Sequence, residues 1–287
     1  MSKIQQIEGF AGLSALPCWQ LEVGDSQVVV SEYGAHVLSY QVGTKPLLWL
    51  STTAVWQDAK AIRGGIPICW PWFGPCPAVF IKTQNVQPNH GIARTRYWQV
   101  TAQEITEQSA SIEFTLSKLS LPWSSELVTL VYRVELSAQA LTVTLSCQEK
   151  IRQQAALHSY FTVADCRRTK VSPLPLHFYD KTTDSMQNSA SDTCVFPAEV
   201  DRIYQHTAPT LTVSDQDYQL NITQRGHDSS ILWNPGMQKA SQTADIAVHS
   251  WPQFVCVESA VLSLEESTLN LSQRIENPWY QQLEIIE

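Results

Sequence analysis

Short runs of alternating apolar and polar residues limit most strongly how this chain can fold. In residues 141–147, Leu, Val and Leu alternate with Thr, Thr and Ser, and residues 127–135 and 27–31 are similar β-branched runs. A period of two residues indicates a strand with one buried face. Further runs of this kind are residues 111–116, 211–213, 219–223 and 254–258. No long segment carries a clean stripe of helical period.

Many short strands between polar turns are typical of a β-sandwich or barrel-like fold. Hydrophobic residues make up 44% of the 287 residues and charged residues 16%. Such a chain can bury a large core without disulfides or metals. No linker or internal repeat divides the sequence, so we expect an all-β fold with a single domain over residues 1–287. The polar residues 181–192 are predicted to form a long surface loop.

Composition also argues against several function classes. The net charge is −8, which disfavours a nucleic-acid-binding protein. No apolar stretch approaches the roughly 18 residues of a membrane span, and residues 1–10 lack the apolar core of a signal peptide. The seven cysteines include no Cys-x-x-Cys pair. We therefore predict neither a disulfide framework nor a zinc site, no membrane partner, and a cytoplasmic location.

The charges are unevenly distributed. No acidic residue lies between Asp58 and Glu104, although this stretch holds five basic residues: Lys60, Arg63, Lys82, Arg94 and Arg96. An acidic chain with one local basic segment is typical of a protein that binds a small anion.

The same stretch contains an unusual loop sequence. Residues 63–77 read RGGIPICWPWFGPCP, and the Gly and Pro content predicts an irregular but rigid segment. Ordered loops of this length are often functional. The rings of Trp70, Trp72 and Phe73 could cover the apolar face of a sugar, or they could simply be core residues. The guanidinium of Arg63 suits bidentate pairing with a phosphate.

Two histidines are candidate polar groups. In NHGIAR, residues 89–94, His90 is either a turn histidine or, together with Arg94, a donor near the first loop. In LHSYF, residues 157–161, His158 has an apolar strand context. It is either a satisfied core histidine or a proton donor or acceptor near pH 7.

Two carboxylates are candidates as well. Glu258 ends an apolar strand and lies either in solvent or in a pocket, where burial would raise its pKa and make it a usable base. Asp201 and Arg202 form either a surface ion pair or part of a site. No nucleophile elbow, phosphate-binding loop, dinucleotide fingerprint or metalloprotease motif occurs, so neither a metal nor a cofactor is predicted.

Six segments occur in a fixed order: RGGIPICWPWFG, NHGIAR, LHSYF, VDRIY, ILWNPG and VCVE. Together they resemble the aldose 1-epimerase superfamily, specifically its glucose-6-phosphate 1-epimerase branch, over most of the chain. This resemblance implies a large antiparallel β-sandwich of the galactose-mutarotase type. It also implies a small-molecule sugar phosphate as ligand, no cofactor and a monomer.

The resemblance further implies a role for each candidate residue. His158 and Glu258 match the catalytic acid and base, which would interconvert the α and β anomers of a hexose 6-phosphate. The substrate-binding positions match Arg63, Asn89, Arg94 and Asp201, and His90 is a further candidate there. Asp201 would bond sugar hydroxyls or orient His158. Two alternatives stay open: a mutarotase for neutral aldoses such as galactose, and a non-catalytic sugar-phosphate-binding protein on the same fold.

Overall fold

The computed structural model describes residues 1–57, 59–81, 87–216 and 218–277. In these ranges there is one short α-helix, α1 (Gly236–Ser241), and three single-turn 3-10 helices at Ala78–Phe80, Ala93–Thr95 and Trp251–Gln253. The remaining elements are strands, in chain order β1 (Lys3–Phe10), β2 (Leu13–Val23), β3 (Ser26–Ser31), β4 (Val37–Val42), β5 (Lys45–Pro46), β6 (Ile68–Cys69), β7 (Gln99–Ile105), β8 (Ser109–Ser120), β9 (Leu127–Ser137), β10 (Ala140–Arg152), β11 (Ala155–Leu157), β12 (Tyr160–Thr162), β13 (Lys170–Ser172), β14 (His177–Asp180), β15 (Ser185–Asn188), β16 (Cys194–Val195), β17 (Val200–Gln205), β18 (Thr210–Ser214), β19 (Gln219–Arg225), β20 (Ser229–Asn234), β21 (Phe254–Val261) and β22 (Glu266–Glu276).

The strands form three antiparallel sheets. A five-stranded sheet follows the chain from β1 to β5. A nine-stranded sheet has the order β16-β13-β18-β19-β22-β10-β9-β8-β7. An eight-stranded sheet has the order β15-β14-β17-β20-β21-β11-β6, with β12 also paired to β21.

The two larger sheets pack face to face over one core. In β9 the residues Val128, Leu130, Tyr132 and Val134 are buried while their neighbours point outward, as the period of two predicts. These side chains belong to the same apolar cluster as Val257 of β21, in the facing sheet. Each such burial contributes roughly 1.5–3 kcal/mol relative to exposure. The predicted all-β fold, a large antiparallel β-sandwich, is confirmed.

The prediction of a loop over residues 181–192 was wrong for part of that segment. Ser185–Asn188 forms strand β15, which pairs with β14 at the edge of the eight-stranded sheet. Its sequence, SMQN, is mostly exposed and has no apolar face, so no alternation marks it as a strand. Polar residues on a short edge strand also discourage pairing with other chains.

The aromatic loop is irregular, as predicted, apart from the two residues of β6. Trp70 and Trp72 are buried, with 0% and 3% exposure, and their indole N–H groups donate to Gln153 Oε1 and Pro88 O. The idea that these two rings cover a sugar is therefore wrong. They are core residues, whereas Phe73 lines a pocket.

Two general expectations can be compared with the structure. All seven cysteines lie in the described ranges and each has a free thiol. Among the described residues, no helix is long and apolar enough to cross a membrane.

Candidate active site

The seven residues singled out in the sequence lie around one pocket of about 330 Å³. That volume is within the range of small-molecule sites, roughly 300–1,000 Å³. The pocket lies on the outer face of the eight-stranded sheet and its neighbouring loops. The seven residues are Arg63, Asn89, His90, Arg94, His158, Asp201 and Glu258. Phe73 from the aromatic loop also lines the pocket. Side chains that the sequence did not single out complete the lining, notably Lys181, Trp233 and Lys239.

His158 and Glu258 face each other across paired strands. Leu157 pairs with Ser259 and Tyr160 with Cys256, so the register, which is the same for both pairs, places His158 opposite Glu258. The distance from His158 Nε2 to Glu258 Oε1 is 3.4 Å, and the side chains are 8% and 1% exposed. A separation of 100 positions in sequence thus becomes direct contact across the sheet.

Burial shifts the two groups in opposite directions. It raises the pKa of Glu258 well above the usual 4.5, and the nearby Asp201 charge raises it further. Burial also lowers the pKa of His158 well below 6.5, helped by His90 and by the cations Arg94 and Arg63. A pair holding one proton can keep it on the carboxyl or on the imidazole, and the two groups titrate as a unit.

Tyr160 connects the histidine to Arg63. Its ring stacks on the His158 imidazole with centroids 4.9 Å apart and an interplanar angle of 10°. Arg63 Nη1 donates to Tyr160 Oη at 3.0 Å, and Arg63 Nε donates to Asp245 at 3.1 Å. Tyr160 stands in the LHSYF segment without any role assigned from sequence. Asp245 had no sequence signal, because nothing in its neighbourhood resembles a motif.

Gly91 fixes the NHGIAR segment against the aromatic loop. Its φ is +72°, and a Cβ there would lie 2.0 Å from the carbonyl oxygen of Trp70. The next residue, Ile92, donates its N–H to that same oxygen at 2.8 Å. Only glycine permits this approach, so residues 89–94 are held beside the loop that carries Arg63.

His90 is held as a neutral hydrogen-bond donor. The Gly74 N–H donates to His90 Nδ1 at 3.2 Å, which leaves the ring hydrogen on Nε2. Burial lowers the pKa of His90 to about 3, with further contributions from Arg94, Lys181 and Arg63. Arg94 Nη2 donates a hydrogen bond to the Asn89 carbonyl at 2.8 Å, which helps to fix the position of the guanidinium. Asn89 itself is exposed at the pocket rim.

Asp201 pairs with a lysine rather than with its neighbour Arg202. Lys181 Nζ lies 3.3 Å from Asp201 Oδ2, whereas Arg202 Nε lies 3.4 Å from Asp180. Consecutive residues of a strand point to opposite faces, so the surface ion pair considered from sequence does not form. Burial raises the pKa of Asp201 even though Lys181 opposes the shift.

The two acid/base groups have different surroundings. Arg94 and Lys181 lower the pKa of Glu258 and Asp201 raises it, whereas His158 is influenced by His90, Arg94 and Arg63, with no carboxylate among these. The pocket is therefore more basic beside His158 than beside Glu258. Among the described residues, no group of three or more His, Cys, Asp or Glu side chains is arranged to hold a metal ion.

Comparison with known proteins identifies a family. The family model described as aldose 1-epimerase matches residues 17–271. A Salmonella typhimurium protein named "Putative glucose-6-phosphate 1-epimerase" is 31% identical over 253 residues, which are 84% of each chain. An Escherichia coli K12 protein of the same name is 30% identical over 255 residues, again 84% of each chain.

Comparison with solved structures finds proteins of the same fold. A Salmonella typhimurium structure titled "putative mutarotase" superposes with a TM-score of 0.84 at 26% identity, covering 96% of both chains. A galactose 1-epimerase from Lactobacillus acidophilus NCFM has a TM-score of 0.71 at 12% identity, covering 96% of this chain and 98% of that one. The second likeness shows the shared fold alone. The family match, the sequence relatives and the fold together show that this chain belongs to the aldose 1-epimerase family.

Proposed function

We propose that this chain is a hexose-6-phosphate 1-epimerase, with glucose 6-phosphate as its substrate. The observation that carries the proposal is a buried His158–Glu258 pair at 3.4 Å in a pocket that also presents Arg63 and Arg94. The pair supplies an acid and a base, and the arginines supply a phosphate site. The names of the sequence relatives, which specify glucose 6-phosphate, support the same substrate.

The uneven charge of the pocket orients the sugar. In a hexopyranose 6-phosphate, the ring oxygen O5 is joined through C5 and C6 to the phosphate, whereas O1 lies on the other side of C1. A phosphate on Arg63 and Arg94 therefore brings O5 to His158, which those arginines flank. O1 is then left for Glu258, and the 2-hydroxyl for Asp201, whose charge acts on Glu258.

Ring opening requires one proton to be removed and one to be supplied. The Glu258 carboxylate takes the proton of the O1 hydroxyl while the His158 imidazolium gives its proton to O5. The C1–O5 bond breaks with its electron pair going to O5, and C1 and O1 become a carbonyl. Rotation about C1–C2 presents the other carbonyl face. To close the ring, the neutral imidazole of His158 takes the proton back from the O5 hydroxyl and the carboxylic acid of Glu258 returns its proton to O1. Each group contributes about 10²–10⁴-fold in rate.

Substrate binding favours the protonation state that this step needs. In the free protein, Arg94 and Arg63 help to lower the pKa of His158. A phosphate dianion placed on those cations offsets their charge and so raises the pKa of His158. Neutralising Arg94 raises the pKa of Glu258 as well. Because Arg63 acts on His158, neutralising it moves the shared proton from Glu258 towards the imidazole. A neutral aldose brings no such charge. This coupling gives a physical reason for preferring the phosphorylated sugar, beyond the affinity of the phosphate itself.

The remaining residues hold the sugar. His90, neutral with Nδ1 already accepting from Gly74, can donate from Nε2 to a sugar oxygen. Asn89 at the rim can donate to the sugar or the phosphate. Asp201 bonds a sugar hydroxyl rather than His158, because its ion-pair partner is Lys181 and its charge acts on Glu258.

Anomer exchange measured by NMR at equilibrium tests the substrate. We expect the protein to accelerate α/β exchange of glucose 6-phosphate far more than that of glucose or galactose. Acceleration of the neutral sugars alone would make this a mutarotase for neutral aldoses. Binding of glucose 6-phosphate without any acceleration would make it a non-catalytic sugar-phosphate-binding protein.

We also propose that residues 1–287 form one domain that acts as a monomer in the cytoplasm and binds no nucleic acid. The net charge of −8 supports the last point. Sedimentation equilibrium tests the oligomeric state: a mass of 32.2 kDa is expected, and a multiple of it would contradict the proposal.

A further inference from the structure

Gln273 lies directly beneath the acid/base pair, on the opposite sheet. It belongs to β22 of the nine-stranded sheet and is 0% exposed. Its Nε2 donates to the carbonyl of Val257 at 3.1 Å and to Ser259 Oγ at 3.0 Å. Val257 and Ser259 are the two residues on either side of Glu258.

The same side chain also contacts the residue after His158. Ser159 Oγ donates to Gln273 Oε1 at 2.5 Å, and Ser159 is fully buried. One amide group therefore bonds the Val257 backbone and the Ser259 hydroxyl on either side of the glutamate, and the Ser159 hydroxyl next to the histidine.

The strand pairing at this point explains why a side chain is needed. In an antiparallel ladder, residues of a hydrogen-bonded pair exchange two backbone bonds. Here Val257 N–H donates to Ser159 O at 3.2 Å, but Ser159 N–H turns back to Leu157 O at 3.0 Å. The Val257 carbonyl is thus left without the reciprocal bond, and Gln273 Nε2 supplies it. The break falls beside the His158–Glu258 pair.

We propose that Gln273 is a positioning residue for the site. By replacing the ladder bond missing between Ser159 and Val257, it fixes the separation of the His158 imidazole and the Glu258 carboxyl. This role rests on the proposed epimerase function, because the proton transfers of that reaction depend on the positions of His158 and Glu258. Misplacement of reacting groups by about 1 Å can cost on the order of 10²-fold in rate.

Gln224 offers a matched control. It is the cross-strand neighbour of Gln273, on β19, and is 1% exposed. Its Oε1 accepts a hydrogen bond from Ser230 Oγ at 3.0 Å, on β20. A leucine at position 224 therefore disturbs the same buried polar layer without removing a bond to a residue adjacent to His158 or Glu258.

The experiment compares Q273L with Q224L in anomer exchange of glucose 6-phosphate, with rates referred to the folded fraction seen by circular dichroism. We expect Q273L to lower kcat by about 10- to 100-fold with little change in KM, because the arginines are untouched. Q224L should keep kcat within about twofold of the wild-type value. Equal kcat values in the two variants, or a rise in KM alone in Q273L, would overturn the positioning role.

A milder change decides the question if Q273L does not fold. Ser159→Ala removes only one of the three bonds and should lower kcat with KM unchanged, whereas a wild-type kcat would overturn the inference. NMR of the His158 imidazole nitrogens separates this inference from the proposed function. Their resonances should shift in Q273L and not in Q224L even if the wild type shows no epimerase activity. An inactive wild type would instead contradict the proposed function.

Discussion

The neutral forms of two buried side chains, Glu258 and His158, are central to the chemistry of this pocket. Burial raises the pKa of Glu258 and lowers that of His158, which favours the neutral form of each group. In the proposed mechanism, ring opening needs the charged arrangement, and the phosphate of the substrate favours that arrangement. The pair is therefore tuned by its neighbours, above all Arg63 and Arg94.

This coupling predicts a measurable pKa change. In the free protein, NMR titration should place the His158 imidazole below 6.5, because burial and the arginine cations disfavour its protonation. Saturating glucose 6-phosphate should raise that pKa, since its dianion offsets the arginine charge. In Arg63→Met the ligand-induced rise should be smaller. A His158 pKa that does not move on ligand binding would contradict the coupling.

Arg63 should matter most for binding the phosphate. We expect Arg63→Met to raise KM for glucose 6-phosphate by about 10- to 100-fold, since a charged hydrogen bond contributes about 1.5–3 kcal/mol. Arg202→Met is the control, because Arg202 pairs with Asp180 on the other face of β17. Steady-state kinetics of both variants provide the measurement. Equal KM values for Arg63→Met and Arg202→Met would show that Arg63 does not bind the phosphate.

At the scale of elements, two glycine-dependent contacts join the loops that carry the basic groups. Gly91 approaches Trp70 O, and Gly65, at φ +63°, would place a Cβ 2.0 Å from Val37 O. The first contact holds His90 and Arg94, and the second holds the loop of Arg63. The pocket is thus built by backbone packing between irregular segments on a regular sheet.

Gly91→Ala tests this packing. Positive φ alone costs an L-residue roughly 1–2 kcal/mol, and the clash with Trp70 O adds to it. Gly43→Ala is the matched control, with φ +58° and nothing within 4 Å of the added Cβ. Urea unfolding should show a clearly larger loss of unfolding free energy for Gly91→Ala. Equal losses would mean that the Trp70 contact does not constrain the loop.

Sequence patterns predicted these elements to different degrees. Alternation identified buried strands such as β9 and β10, because one face of each packs in the core. It missed β15, whose polar edge sequence has no buried face. The motifs located the seven candidate residues, but Tyr160, Lys181 and Asp245 join the site only through the fold. Gln273 belongs to a distant strand, and its relation to His158 depends on a local break in the ladder that no sequence period reveals.

For the whole molecule, buried histidines make stability depend on pH. Burial lowers the pKa of His36 to about 4 and that of His90 to about 3, whereas the lowered pKa of His158 is offset by the raised pKa of Glu258. The unfolded chain takes up these protons near pH 6.5 while the folded chain does not. The stability is therefore fully present above pH 6.5 and is lost as the pH falls towards about 4.

Urea unfolding between about pH 7 and pH 5 measures this dependence. Each such histidine contributes a slope of about 1.4 kcal/mol per pH unit once the unfolded form is protonated. The unfolding free energy should fall steeply below pH 6.5. His36→Gln should reduce the slope of unfolding free energy against pH by the contribution of one histidine. A flat profile down to about pH 5 would show that the folded protein binds these protons readily.

The Glu258→Gln variant tests the central claim most directly, through its α/β exchange of glucose 6-phosphate measured by NMR. Glutamine keeps the size of the side chain but cannot take the O1 proton. The acid/base account predicts that exchange slows by about 10²–10⁴-fold while glucose 6-phosphate still binds, because Arg63 and Arg94 are unchanged. Exchange close to the wild-type rate would contradict it.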